Sequence, residues 1–188
     1  MIRKSLIALA IGLSTVSGAM ADPVQWTVNG HWYEYNPEPV TWDVAYFIAN
    51  SSTFQGMQGY LATITSAEEN LFVSDTVALG ALSWLGGSDH DAANINDWTW
   101  RNGPEAGQAF TYTNWNGGEP NNCCGGEDYL HTNWGGLGFW NDHGGPGNPT
   151  QQNGFIIEYS APVPEPETYA LLLAGLGLVG FAARRRKG

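Results

Sequence analysis

Positive charge is almost missing from this chain. Its Lys and Arg residues are Arg3, Lys4, Arg101, Arg184, Arg185, Arg186 and Lys187; six of them lie at the ends, and Arg101 alone faces seventeen Asp and Glu residues between Asp22 and Glu165. Such a body repels phosphate backbones, which excludes nucleic acid as a partner, and it attracts divalent cations. Lysine is absent from that body, and neither a GxSxG nor an HExxH arrangement occurs, so no nucleophile–base motif argues for an enzyme. Cysteine is scarce as well: Cys123 and Cys124 are the only two, and they are adjacent. Structural zinc sites space their cysteines by about two to four residues, which argues against a site made of this pair with His131 and His143. Trp and Gly, by contrast, are plentiful, at nine and 25 among 188 residues of which 43% are hydrophobic. That suits one loop-rich domain plus processing segments, its core built on a few large rings.

Long apolar runs occur only near the ends. Residues 1–21 have a short basic start, an apolar run from Leu6 to Val16, and small residues at Ala19 and Ala21. This is the pattern of a secretory signal peptide cleaved after Ala21. At the other end a Pro164-Glu165-Pro166 turn precedes fifteen uncharged residues, Tyr169 to Ala183, and a basic cluster. As a helix that run would reach roughly 22 Å, short of the ~30 Å hydrocarbon core, so it reads as a marginal and transient membrane anchor. The cationic end keeps to the cytoplasm and leaves the body outside. These three parts in order resemble the PEP-CTERM sorting signal of Gram-negative bacteria. The resemblance implies recognition by the membrane peptidase exosortase, passage through the inner membrane and periplasm, and a destination at the cell surface or in an extracellular, exopolysaccharide-rich matrix. The expected organisation is a signal peptide at 1–21, one domain at 22–160, and a linker with the sorting signal at 161–188.

Within the body, Trp26 to Tyr35 reads as a strand or hairpin centred on Gly30. The segment TWDVAYFIAN places Trp42, Ala45, Tyr46 and Ala49 on one helical face with Thr41 as N-cap. GYLATI follows as a strand. Ser66-Ala67-Glu68-Glu69 fits a capping box that opens a second helix running to about Leu79. LSWLGG, DWTW and Gly154 to Ser160 read as further strands. Between Gly86 and Gly154 little else is regular, and an ordered loop of that length tends to be functional.

Within that loop Glu119, Asn121, Glu127, Asn141 and Asp142 offer carboxylate and carboxamide oxygens on glycine-rich backbone, the ligand types calcium takes. On composition alone such residues are more often solvated turn residues. The segments TWDVAYFIAN, GYLATITSAEENLFV, WLGG, DWTWRNG, GGEPNN, GGED, FWND and FIIE, in that order, resemble the C-type lectin-like domain over about Val24 to Tyr159. The resemblance implies an α+β fold of two helices with small antiparallel sheets and a long calcium-binding loop region. It further implies that Glu119, Asn121, Glu127, Asn141 and Asp142 bind one Ca2+ and, through it, a sugar, with Pro120 in cis. The Glu-Pro-Asn motif implies mannose-, glucose- or fucose-type glycans. Asp89, Asn122 and Asp128, with Glu127, stand near the family's positions for an auxiliary ion. The family's usual disulfides are missing, since Tyr129 and about Ile157 stand where cysteines are common. Cys123 and Cys124 are left as a vicinal disulfide, as links to other chains, or as a free dithiol. The alternative reading is a lectin-like protein-binding or structural matrix domain in which calcium only stabilises the fold.

Overall fold

The computed structural model describes residues 22–90, 92–161 and 175–176. The expected signal peptide and Pro164-Glu165-Pro166 lie outside them. Among the described residues no helix is long and apolar enough to cross a membrane.

The chain forms β1 (Val24–Gln25), β2 (Trp32–Val40), α1 (Trp42–Ser51), β3 (Thr53–Phe54), β4 (Met57–Leu61), α2 (Ala67–Leu71), β5 (Ser83–Ser88), β6 (Thr99–Trp100), β7 (Tyr129–Thr132), β8 (Trp140–His143) and β9 (Asn153–Tyr159). The main path of the sheet runs β1-β2-β9-β5-β7-β8, with β4 on β9 and β6 on β5. The pairs are antiparallel except β5 with β9, which are parallel. The expected α+β fold with two helices is therefore found, its strands joined in one mixed sheet. β7 and β8 are two strands that hydrophobic patterning does not reveal. They are four residues each, rich in polar side chains, and buried by their neighbours rather than by their own hydropathy.

β9 is the spine, buried along its whole length and paired with β2, β4 and β5. Its alternation divides the core. Ile156 joins Leu85, Leu130, Trp100 and Trp140 in one cluster, whereas Phe155, Ile157 and Tyr159 join Trp84, Tyr129 and Trp42 in the other. Successive strand residues point to opposite faces, so two aromatic layers follow from a sheet covered on both sides. On α1 the expected face is the buried one: Trp42, Ala45 and Ala49 are inside, and half-buried Tyr46 stacks on Trp42 at 5.1 Å. Thr41 has the extended backbone of an N-cap but makes no side-chain capping bond.

The second helix starts where expected, with Ser66 Oγ accepting from the Glu69 N–H at 3.1 Å. The other half of the capping box is missing. Glu69 accepts instead from the Thr65 N–H and hydroxyl, at 2.7 and 2.8 Å, and from the Tyr33 hydroxyl at 2.6 Å. A phenol buried to 0% exposure needs an acceptor, and Glu69 supplies it. After Leu71 the helix widens to a π-turn over Phe72–Val77, which aims Val73, Ser74 and Val77 inward.

A polar cluster is buried behind β9. Glu158 lies 2.6 Å from His31 Nδ1 and accepts from the Tyr60 hydroxyl at 2.9 Å and the Thr63 N–H at 3.0 Å. The bond to Glu158 holds His31 above its ordinary pKa against the opposing effect of burial, with Glu69 and Glu105 adding to the upward shift. A histidine raised in the folded state contributes stability that is complete below its unfolded value of about 6.5 and is lost as pH rises through the folded value. The melting temperature of the chelated domain should therefore fall as pH is taken above 6.5, and His31→Gln should flatten that decline. A thermal-melt series from mildly acid to alkaline buffer checks both, and an identical pH profile in the variant would remove His31 from the account.

Candidate functional site

The irregular loop is laid against β8 before it reaches the site. Trp140 N–H donates to the Asn114 carbonyl and Asn116 N–H to the Trp140 carbonyl, each at 2.8 Å, and Glu119 N–H returns to the Asn116 carbonyl at 3.0 Å. The Glu119–Pro120 bond is cis. The chain then presents three consecutive amides inward. Asn121 N–H donates to Asp142 Oδ1 at 3.1 Å and Asn122 N–H to Asp142 Oδ2 at 2.6 Å. Cys123 N–H is shared between Asn121 Oδ1 at 2.8 Å and Glu127 Oε2 at 3.2 Å.

Asp142, Asn141 and Glu127 form a buried floor at 0%, 4% and 6% exposure, while half-buried Glu119 and exposed Asn121 form the lip. Asn141 joins the group through its neighbour, its amide donating to the Asp142 carbonyl. Two segments about twenty residues apart thus bring Glu119, Asn121 and Glu127 together with Asp142. The meeting of carboxylates has an electrostatic signature. Burial, followed by the charge of Asp142, pushes both Glu119 and Glu127 above the usual carboxylate range, and the Cys123 N–H partly relieves Glu127. Glu119 Oε2 is buried with no hydrogen-bond partner. An orphaned carboxylate oxygen beside two further carboxylates is a donor set that a hard cation fits, because the cation would accept the lone pairs that the protein leaves unused. Among the described residues the His, Cys, Asp and Glu side chains do not by themselves make a metal-holding group. Here the carboxamides of Asn121 and Asn141 are needed to complete an oxygen set.

The auxiliary residues are only partly assembled. Asp89 N–H donates to the Asp128 carbonyl at 3.2 Å, and Asp89 Oδ1 is buried without a partner. Asp128 Oδ2 lies 3.1 Å from His90 Nδ1. Asn122 serves the principal loop instead, its Oδ1 accepting from the Glu127 N–H at 2.7 Å. Cys123 and Cys124 are joined to each other in a disulfide and are exposed.

One feature near the site, His143, was not singled out for it from sequence. His143 Nδ1 lies 3.4 Å from Glu127 Oε1 and its ring stacks on buried His131 at 4.7 Å; its place directly after Asn141-Asp142 was the available signal. The hairpin tip between β7 and β8 holds Trp134, Leu137 and Phe139 out at 43%, 48% and 42% exposure. That tip is pinned by Asn133, which donates to Ala81 and accepts from the Gly138 N–H, each at 2.8 Å.

A family model described as Lectin C-type domain matches residues 48–143, and one described as PEP-CTERM protein-sorting motif matches residues 162–187. The chain is 35% identical over 142 residues to halomucin of Haloquadratum walsbyi, a match covering 70% of this chain and 1% of halomucin. It is 34% identical over 115 residues to a perlucin-like protein of Mytilus galloprovincialis, covering 58% of this chain and 66% of that protein. Its fold matches the crystal structure of the C-type lectin CEL-I from Cucumaria echinata with a TM-score of 0.57 and 25% identity, over 69% of this chain and 90% of that one.

Proposed function

Because this chain belongs to the C-type lectin domain family and carries a PEP-CTERM sorting motif, we propose that it is an exported, calcium-dependent carbohydrate-binding protein acting at the cell surface or in the surrounding matrix. The observation that carries this reading is the convergence of the 121–123 amides on Asp142, Glu127 and Asn121 beside the orphaned Glu119 oxygen. Glu119, Asn121, Glu127, Asn141 and Asp142 would hold the ion. When bound, calcium supplies a hard centre on which sugar hydroxyl oxygens replace water. Around it this chain's own groups do the reading: carboxylates accept from sugar hydroxyls and carboxamide N–H groups donate to them. Glu119 and Asn121, on the lip, would do both, and the Glu-Pro-Asn order favours mannose-, glucose- or fucose-type glycans. One shallow monosaccharide contact binds weakly, so a repeating exopolysaccharide held by many copies is the better partner. The sorting signal supports delivery by exosortase through the inner membrane and periplasm, with the uncharged run as a transient anchor.

On a mannose column in calcium the protein should be retained and should elute with chelator. Glu119→Gln combined with Asn121→Asp should shift retention to galactose or abolish it. Retention that ignores chelator would sink the proposal. The exposed Trp134, Leu137 and Phe139 favour a second reading, a lectin-like domain that binds protein and keeps calcium only for stability. Calcium-dependent stabilisation with no glycan bound on a broad array would select it.

A further inference from the structure

The Cys123–Cys124 disulfide lies inside the loop that carries the ligand set, yet neither sulfur belongs to that set. The backbone around it is contorted. Asn122 and Cys124 take positive φ of 48° and 62°, and Gly125 and Gly126 follow at 105° and 120°. Side chains rarely adopt that region, so a free chain of this sequence would favour other conformations at 122 and 124. The contortion has a product. It reverses the chain within four residues, so that Glu127 returns to accept from the Cys123 N–H while its own N–H meets Asn122 Oδ1. Hydrogen bonds assist: Gly126 N–H donates to the Cys123 carbonyl at 3.0 Å, and Asn148 Nδ2 donates to the Gly126 carbonyl at 2.8 Å. A covalent ring through adjacent residues restricts the two backbone torsions on either side of the peptide it spans. Those are the torsions between Cys123, whose amide bridges Asn121 and Glu127, and the left-handed Cys124.

We propose that the Cys123–Cys124 disulfide is a positioning element for the calcium ligands, holding the Cys123 amide between Asn121 and Glu127 so that its reduction weakens calcium binding and with it the sugar site. The inference rests on the calcium reading of this site and adds a redox dependence to it. The chemistry balances with a thiol or phosphine reductant. A dithiol forms its own internal disulfide, or a phosphine becomes its oxide with the oxygen of one water, as the Cys123–Cys124 bond breaks; two electrons from the reductant and two protons, from the dithiol or that water, leave two thiols. Both cysteines are exposed, so a soluble reductant can reach them. Loss of an outer contact that orients ligands typically costs 10–100-fold in metal affinity, so a fall of about 10-fold or more is expected here.

The test uses the exported domain with its disulfide intact, the same protein after phosphine reduction, and the double variant Cys123→Ser with Cys124→Ser. Calcium affinity is read by titration calorimetry, and amide exchange across 121–127 is read in chelator. The reduced protein and the double variant should share weaker calcium binding and faster exchange confined to that loop. Their melting temperature in chelator should change little, reoxidation should restore only the cysteine form, and the serine form should ignore reductant. Equal calcium affinity in all three would overturn the proposal and leave the calcium site standing. Absence of calcium binding by the oxidised protein would overturn the site itself and the proposal with it. Faster exchange spread through the sheet would assign the disulfide to global stability and overturn the positioning role.

Discussion

Replacing Asp142 with asparagine is expected to remove the calcium-linked stabilisation of the domain. The Asp142 carboxylate is 0% exposed and accepts the N–H groups of Asn121 and Asn122 on its two oxygens. An asparagine there keeps the volume but offers one oxygen, so one of those amides would meet an NH2 group. An unmade bond of that kind costs about 1–3 kcal/mol. The proposed ligand set would also fall from three carboxylates to two, so calcium affinity should drop by about 100-fold or more. At calcium equal to about 100 times the wild-type dissociation constant, the wild type gains about 2.7 kcal/mol, whereas a variant weakened 100-fold gains about 0.4 kcal/mol. Thermal melts across a calcium titration should show a clear rise for the wild type and a nearly flat line for Asp142→Asn. A variant that keeps the full rise would take Asp142 out of the ligand set.

Trp140→Ala should be the most damaging core change near the site. The ring is 0% exposed and packs edge-on against Trp100, Phe110, Tyr112 and Trp115, with centroids 5.6 to 6.3 Å away. Its Nε1 donates to Asn70 Oδ1 at 2.7 Å. Removing a buried aromatic costs about 3–5 kcal/mol, a large part of the 5–15 kcal/mol that typically holds a domain together. Trp140→Phe keeps most of the packing but leaves the Asn70 oxygen without its donor, which should cost about 1–3 kcal/mol. Urea denaturation midpoints should rank wild type above Phe above Ala. Because the backbone of Trp140 also carries the 114–116 segment and precedes Asn141-Asp142, the alanine variant should lose calcium affinity along with stability. Full stability in Trp140→Ala would show that the aromatic layer does not hold β8.

Several parts of this architecture are legible in residue order because their causes are local. A helix face recurring at Trp42, Ala45 and Ala49, a serine three residues before Glu69, and the β-branched pair Ile156–Ile157 each act over a few residues, and each forms the element expected. The grouping of Glu119 and Asn121 with Asn141 and Asp142 is legible only through family resemblance, since no local period links positions about twenty apart. Nothing local marks β7 and β8. Tyr129–Thr132 is a strand paired with β5, and Trp140–His143 is paired with β7.

The amino-acid sequence by itself determined the acidic body, the scarcity of cysteine, the C-terminal sorting motif, the helical faces and the supply of carboxylate and carboxamide oxygens, because these depend on residue type and short spacing. Tertiary structure alone decided which of those oxygens are buried and which are exposed, that Asp142 receives the amides of Asn121 and Asn122, that Glu69 turns from its cap to Tyr33, and that Glu119 is left with an unpaired oxygen. The physical reason is distance along the chain. Burial, desolvation and shared hydrogen bonds arise between segments that meet only after β8, β9 and the loop have folded onto one another.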